Sequence, residues 1–351
     1  MKVIKNRLNI IKAQSLSAQN TMNREETAQS LWGEGVINSS HRMTYSYELI
    51  HKMALAWATE GQELYHSNSL RKDIIYALSW MHENVYSFAL KSQTGWQAFS
   101  ENDWWDWFVG TPRFILDTIV LLGDVDKAQT DRWLSPYEYL SEFMRTDLSY
   151  EANVNSRAYN AFLCGLLKGD ILKIRKITSA YPVLFQFVEN GTGMYEDYSY
   201  IKHNMIAYNG FYGTGALLER AVKVIAITQG TALAQDEMYI EKVVQILKNA
   251  FEPFMVNGGI MNMVRGRGTD RSEEYADACS VYAAAIDFSD FADESTKAYL
   301  ASFLKTQLTG AAYDYAIENL TPFQIVKLKK LLSENVNSKE YNISRVYNHM
   351  D

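Results

Sequence analysis

The sequence predicts an all-α protein, and three observations support this prediction. Apolar residues recur with a helical period along most of the 351 residues. Only five prolines occur, so few helices would be interrupted. Strand signals are sparse and isolated. We therefore expect antiparallel helical hairpins arranged in a bundle, a solenoid or a closed toroid. No repeat of fixed period is visible, which argues against TPR-like or ankyrin-like solenoids.

The clearest helix start is Thr111-Pro112, where a capping hydroxyl precedes a proline at the first helical position. This helix is predicted to run to Gly123. Residues 149–168 repeat the pattern, and residues 215–229 are apolar nearly all round, which is typical of a helix buried between neighbours. Further helices are predicted at 45–66, 69–90, 129–143, 171–188, 237–251, 272–287, 293–306 and 322–333.

Composition disfavours several classes of protein. The formal net charge of −7 disfavours a nucleic-acid partner, because phosphate binding depends on basic patches. No apolar run approaches the roughly 20 residues of a membrane span, so we expect no membrane insertion. The first nine residues lack the apolar core of a secretory signal. We therefore expect either retention in the cell or an export signal outside this sequence.

Metals and cofactors are not expected either. Cys164 and Cys279 both lie in apolar helical contexts that suit small buried residues, and they suggest neither a disulfide framework nor a metal site. The chain has no HExxH motif, no Walker-type loop and no dinucleotide fingerprint. We therefore predict a protein that works without a cofactor.

Three longer connections, near 91–111, 189–214 and 252–271, carry the polar clusters from which sites are usually built. The first contains Trp104, Trp105 and Trp107. Three such rings before one helix cannot all face a single core, so we expect at least one to be exposed. Exposed indoles suit the apolar faces of sugars. In the alternative, all three rings fill gaps between helices.

The second connection is a tyrosine-rich stretch that contains His203, the only histidine between positions 82 and 349. Tyr212 follows it by nine residues, among glycines. An imidazole exchanges protons near neutral pH, and a phenol does so when its neighbours shift its pKa. The pair is a candidate acid and base. A structural histidine in a tyrosine-rich loop is an equally plausible interpretation of the composition.

The third connection places Arg265, Arg267 and Arg271 among glycines in an acidic protein. Such a concentration of guanidinium groups suits a carboxylate or a sulfate. The same arginines are also consistent with an ordinary ionic surface, in which they pair with Asp270 and the two glutamates that follow it.

Stacking rings, an acid and base pair and anion-binding arginines together predict an acidic polysaccharide as ligand. Eliminative cleavage matches this set: a base removes the C5 proton of a uronic acid, and an acid protonates the departing C4 oxygen. The uronate carboxylate must be neutralised to stabilise the developing enolate. Hydrolysis needs two opposed carboxylates instead. No such pair stands out among the nearby acids Asp103, Asp106, Glu196 and Asp197.

These segments resemble polysaccharide lyase family 8, the hyaluronate, chondroitin AC and xanthan lyases. The resemblance rests on Asn102–Arg113, Tyr195–Gly213 and Val256–Arg271, in the family's order and spacing, and it extends from about residue 20 to the end of the chain. It implies an incomplete α/α toroid with the substrate in a long cleft. It also implies secretion or a cell-surface location.

The resemblance assigns roles by position. His203 and Tyr212 match the family's proton-transfer residues. Tyr212 is the acid for the leaving oxygen, and the role of base is left open between the two. Arg267 and Arg271 match the arginines near substrate and tyrosine.

Substrate-binding residues follow in the same way. Trp104 and Trp105 match the aromatic patch that positions the sugar chain. We add Asn102 and Tyr208, which lie in the same segments, to the predicted substrate-binding set.

One departure concerns the site. The family has an asparagine that hydrogen-bonds the uronate carboxylate, and the resemblance places Met144 at that position. A thioether cannot donate to a carboxylate. Asn153 and Asn155 lie further along the same predicted helix, with no sign in the sequence that they compensate.

A second departure concerns length, since family members continue into β-sandwich domains. We expect residues 1–340 to form the lyase α-domain and residues 341–351 to begin a linker towards a β-sandwich region. A separate chain is one possible source of that region. Three hypotheses follow: a polysaccharide lyase α-domain that cleaves by β-elimination without a metal, a catalytically impaired carbohydrate-binding remnant of one, or a purely structural helical protein.

Overall fold

The computed structural model describes residues 2–87, 104–141, 151–203, 206–271, 274–339 and 347. Helices dominate these residues, and the strands among them are only two or three residues long, so the predicted all-α class is confirmed. Two compact units are present. One comprises residues 1–146 and 160–174, and the other comprises residues 147–159 and 175–351.

The first unit is organised around its second helix. Its helices are α1 (Lys2–Asn20), α2 (Ser40–Ala58), α3 (Asn68–Met81), α4 (Thr111–Leu122) and α5 (Lys127–Ser141). Helix α2 packs against α1, α3 and α4. Its N-terminus is capped by the Ser39 side chain, which accepts from the backbone N–H of Arg42. The hydroxyls of Thr44 and Thr111 are 2.7 Å apart in the buried contact between α2 and α4.

Two further helices, α6 (Ala152–Lys168) and α7 (Ile171–Ala180), have residues in both units. The second unit also contains α8 (Arg220–Thr228), α9 (Glu237–Ile246), α10 (Glu274–Phe288), α11 (Glu294–Gln307), α12 (Gly310–Asn319) and α13 (Pro322–Ser333). Helix α10, whose small alanines allow close approach on several sides, packs against α8, α12 and α13. A capping box between Thr321 and Gln324 begins α13.

Short strands shape the connections of the second unit. Strands β1 (Gly193–Met194), β2 (Tyr200–Lys202) and β3 (Ile206–Ala207) form an antiparallel sheet in that order. Strands β4 (Met255–Val256) and β5 (Gly259–Ile260) form a hairpin. Both residues of its turn, Asn257 and Gly258, have positive φ, as a two-residue turn of this kind requires.

Most predicted helices are present with shifted ends. The helix predicted at 45–66 begins at Ser40 and ends at Ala58. The one predicted at 171–188 ends at Ala180, where Pro182 converts the chain to a 3-10 turn. The sequence prediction missed helices α1 and α12. Within the described ranges, no helix is long and apolar enough to cross a membrane.

Candidate active site

The Tyr212 hydroxyl is the centre of a polar cluster in the second unit. It lies 3.4 Å from Nε2 of His203, and it also accepts a hydrogen bond from the Arg267 guanidinium. Tyr212 itself is largely buried, whereas His203 and Arg267 are exposed. The structure thus brings together three of the four residues that the sequence predicted to be catalytic, with the phenol contacting both of the others.

Arg271, the fourth predicted catalytic residue, is exposed at the end of the same loop. Its charge lies close enough to oppose the rise in the pKa of Tyr212 that burial causes. The predicted substrate-binding residue Tyr208 is buried, with its ring centroid 5.0 Å from that of Tyr212 and 5.7 Å from that of His203, in edge-to-face contacts. Arginine, imidazole and two phenols therefore share one cluster.

A buried asparagine that the sequence reasoning missed holds the backbone around this cluster. The Asn209 side chain accepts from the Tyr200 N–H at 2.9 Å and donates to the carbonyls of Tyr198 and Ala250 at 2.8 Å each. These three hydrogen bonds join the chain at Asn209 to strand β2, to the residues just before that strand and to the backbone at Ala250. Just beyond it, Phe211 has φ 59° and ψ −77°, and this kink turns the chain before Tyr212.

Glycines allow the arginine loop to approach the tyrosines. Gly266 has φ +49°, and a Cβ there would lie 2.3 Å from ring atoms of Tyr208. A Cβ on Gly268 would lie 2.9 Å from Phe211. Between these glycines, the backbone N–H of Arg267 donates to the Tyr208 hydroxyl at 3.2 Å. The close approach explains why the loop alternates glycine with arginine.

Arg265 has a different role from its neighbours. Its side chain is buried, and Nε donates to Oδ2 of Asp277 at 2.8 Å. Its other nitrogens donate to Asn262 Oδ1 at 2.8 Å and to the carbonyl of Gly268 at 3.3 Å. Arg265 is therefore not available to bind an anion, because the Asp277 carboxylate, twelve residues away, neutralises its charge inside the fold. Of the three arginines that the sequence analysis grouped together, Arg267 and Arg271 remain exposed.

A second ion pair, also missed by the sequence reasoning, lies beside the cluster. Lys202 is 2% exposed, and its ammonium pairs with the Glu151 carboxylate, just before helix α6. The same ammonium is 4.8 Å from the centroid of the Tyr212 ring. Lys202 adjoins the predicted histidine in sequence, but nothing in the sequence identifies its partner 51 residues earlier.

The surroundings shift the pKa values of the two candidate proton-transfer residues, His203 and Tyr212, in opposite directions. Partial burial lowers the pKa of His203 below its ordinary 6.5, the Lys202 and Arg267 cations lower it further, and Glu151 opposes them. Burial raises the pKa of Tyr212 above 10, although Arg267 and Arg271 act against this rise. At neutral pH the cluster therefore holds a neutral imidazole beside a protonated phenol.

The tryptophan segment, in the first unit, agrees with the expected exposure of at least one ring. Trp107 is 1% exposed and belongs to the core, Trp104 is half-buried, and Trp105 is 43% exposed. The alternative in which all three rings are buried is wrong. Asn102 and Met144 lie outside the described residues.

A sequence model described as polysaccharide lyase family 8, N-terminal alpha-helical domain, matches residues 1–306 of this chain. The chain belongs to polysaccharide lyase family 8. Because the match covers most of the sequence, the resemblance predicted from the three segments is confirmed.

Curated relatives in this family are much longer than the chain. The xanthan lyase of Bacillus sp. strain GL1 is 28% identical over 262 residues, which cover 72% of this chain and 27% of that protein. The hyaluronate lyase of Staphylococcus aureus is 25% identical over 363 residues, which cover 94% of this chain and 44% of that protein. The chain thus spans between about a quarter and a half of the length of these family 8 enzymes.

Solved structures of family 8 enzymes share the fold. The xanthan lyase of Paenibacillus superposes with a TM-score of 0.83 and 24% identity, over 97% of this chain and 32% of that one. The chondroitin AC lyase of Streptomyces coelicolor A3, solved with chondroitin sulphate, gives a TM-score of 0.79 and 21% identity, over 95% of this chain and 46% of that one. The fold expected from the sequence, the helical toroid of the family, is confirmed.

Proposed function

We propose that this chain is the α-domain of a lyase that cleaves an acidic, uronate-containing polysaccharide by β-elimination. One observation carries the proposal: the Tyr212 hydroxyl contacts both an imidazole, at 3.4 Å, and a guanidinium. Elimination needs a base, an acid and a cation close together, and this cluster contains all three. The named activities of the relatives, on hyaluronan, xanthan and chondroitin, support the same substrate class.

The proposed reaction uses the protonation states of the cluster. Neutral His203 takes the C5 proton of the uronate, and the electron pair moves into the carboxylate-stabilised enolate. The C4–O4 bond then breaks, a C4–C5 double bond forms, and the protonated Tyr212 gives its proton to the departing oxygen. The imidazolium finally returns a proton to the phenolate, since their atoms are 3.4 Å apart. Arg267 stabilises the phenolate in the interval.

The substrate carboxylate also needs a hydrogen-bond donor. Asn153, on the first turn of α6, is half-buried, and its backbone N–H donates to Glu151 Oε1 at 3.2 Å. That same carboxylate pairs with Lys202 beside Tyr212. We propose Asn153 as the amide that binds the uronate carboxylate in this chain.

The second candidate function is a carbohydrate-binding remnant that has lost catalysis. The presence of Met144 where the family resemblance expects an asparagine favours it. Under this alternative the tryptophans and arginines still bind the polysaccharide, but the C5 proton is not removed.

One experiment distinguishes the two functions. The chain is incubated with hyaluronan, chondroitin and xanthan while the ultraviolet absorbance of the unsaturated uronate product is followed, and binding is measured in parallel by calorimetry. The proposed lyase gives a rise that Tyr212→Phe abolishes with little effect on binding. The matched control Tyr313→Phe, on helix α12, keeps the rise. Binding without a rise selects the remnant, and an active Tyr212→Phe variant overturns the role of Tyr212.

A further inference from the structure

Lys202, in strand β2 of the second unit, is a charged residue that is almost fully buried. Side chains two residues apart in a strand point to the same face, so Lys202 and Tyr200 share one side of β2. Both meet the start of helix α6. The Tyr200 hydroxyl accepts from the Ala152 N–H, and the Lys202 ammonium pairs with Glu151.

This double attachment fixes the position of the ammonium. A lysine side chain loses rotamer entropy when it is immobilised, and burial of its charge adds a further cost unless the charge is paired. The Glu151 carboxylate supplies the pairing, and it is partly exposed, with 37% of its side-chain surface accessible. The ammonium is thereby held 4.8 Å from the centroid of the Tyr212 ring, within the range of a cation–π contact.

Several charged or titratable groups face this cluster. They are Glu151 before α6, Tyr200, Lys202 and His203 from β2 and its turn, Tyr208 and Tyr212 from the next segment, and Arg267 and Arg271 from the arginine loop. Glu151 is the one carboxylate that the described residues bring into contact with these groups. Without Lys202, only burial and the Arg267 cation would oppose its effect on the pKa of His203.

We propose that Lys202, held by Glu151, is a positioning residue that orients the Tyr212 ring for proton donation and keeps His203 unprotonated. The proposal rests on the function proposed above and adds a part to it. The Lys202 ammonium lies 4.8 Å from the ring centroid. The Arg267 guanidinium lies 5.5 Å from the same centroid and also donates to the hydroxyl, so both cations restrain the phenol and only Arg267 contacts its oxygen. The directions of the pKa shifts agree, since Lys202 lowers the pKa of His203 and Glu151 raises it.

The competing explanation is that Lys202 and Glu151 form an ion pair that serves only the packing of β2 against the start of α6. Such a pair would have no effect on the protonation of His203. Titration of His203 separates the two explanations. Its ring resonances are followed by NMR from acidic to alkaline pH in the wild-type chain, Lys202→Met and Glu151→Gln, with His203→Gln used for assignment. Lys297→Met, which removes an exposed paired lysine on α11, controls for the change in net charge.

We expect the pKa of His203 to rise in Lys202→Met, to fall in Glu151→Gln, and to stay at the wild-type value in Lys297→Met. Because methionine has nearly the length of the lysine stem, the fold should be retained, and Glu151→Gln provides an independent second variant. If the His203 titration is the same in all of these folded variants, the pair is structural and the proposal is wrong. This readout needs no turnover, so it remains valid for an inactive chain.

Steady-state kinetics on the same variants provide a second test. We expect Lys202→Met to lower kcat up to about 100-fold with little change in KM, since a misplaced reacting group raises the barrier more than it weakens binding. The acidic limb of the pH profile should move to higher pH with the His203 titration. A KM effect alone would show that Lys202 binds substrate and does not position Tyr212. If no variant or wild-type chain turns over, the proposed function fails while the titration still tests the pair.

Discussion

The Tyr212 hydroxyl lies 3.4 Å from Nε2 of His203, and the pKa values of the two groups are displaced in opposite directions. Burial is the first cause in both cases, because it disfavours the charged imidazolium and the charged phenolate alike. The result is a neutral pair over a wide range of pH. A base and an acid that both begin uncharged are what the proposed elimination needs.

The pH profile of kcat/KM should therefore be broad. His203 must be neutral to accept the C5 proton, so activity should rise as pH increases through its pKa, which lies below 6.5. Activity should persist until Tyr212 loses its proton, above pH 10. Initial rates measured at subsaturating substrate across this range test the prediction. An acidic limb centred above 6.5 would contradict it, and so would His203→Gln retaining the same limb.

Mutagenesis can test whether position 144 or position 153 determines how the uronate carboxylate is bound. If Asn153 binds the uronate carboxylate, Asn153→Ala should lower kcat about 10²–10³-fold, which is typical of losing one preorganised donor. Met144→Asn should then leave the rate unchanged. Steady-state kinetics on both variants decide the matter. A gain of activity in Met144→Asn together with a neutral Asn153→Ala would favour the impaired remnant.

The buried pair of Arg265 and Asp277 should be a major determinant of stability. Arg265→Met removes the guanidinium that pairs with the buried Asp277 carboxylate, and we expect the free energy of unfolding to fall by about 3–5 kcal/mol. Urea unfolding followed by circular dichroism measures this. The exposed pair of Lys297 and Glu294 is the control, since its loss should change stability by about 1 kcal/mol or less. Equal effects at the two sites would refute the assignment.

The tryptophan segment should separate binding from stability. Trp105 is exposed, so Trp105→Ala should weaken polysaccharide binding about three- to tenfold and leave the melting temperature nearly unchanged. Trp107 is in the core, and Trp107→Ala should cost about 3–5 kcal/mol of stability. Calorimetric titration and thermal unfolding provide the two measurements. Undiminished binding by Trp105→Ala would remove this residue from the substrate-binding set.

Helix prediction succeeded where a helix buries several large apolar side chains and failed where it buries few of them. The buried positions of α1 are Arg7, Ile11, Ser15 and Ala18, which have helical spacing but are half polar. Helix α1 therefore shows no apolar period in the sequence, although one of its sides is buried. Helix α12 was missed because its buried residues are Ala312, Ala316 and Ile317, and two alanines with one isoleucine give a weak apolar pattern. In α1, tertiary packing accepts a buried serine and a buried arginine stem, which local periodicity does not report.

Within the site, local sequence was sufficient for residues close together along the chain. His203 and Tyr212 were predicted as a pair because they lie nine positions apart, next to Gly210 and Gly213, and Arg267 was predicted because it stands out in an acidic protein. Lys202 was overlooked although it adjoins His203, since an isolated lysine is ordinarily a solvated charge. Its burial depends on Glu151, 51 residues earlier, and no local pattern reports that distance.

By itself, the sequence determined the helical class, the family and the candidate acid, base and arginine, because periodicity and motif spacing are properties of neighbouring residues. The tertiary structure alone decided which charges are neutralised. Arg265 and Lys202 are both cations within the segments that carry the family resemblance, yet each is buried against a carboxylate from another part of the chain, whereas Arg267 reaches the phenol. Ion pairing depends on distance in space, and only the folded chain brings these groups within reach of one another.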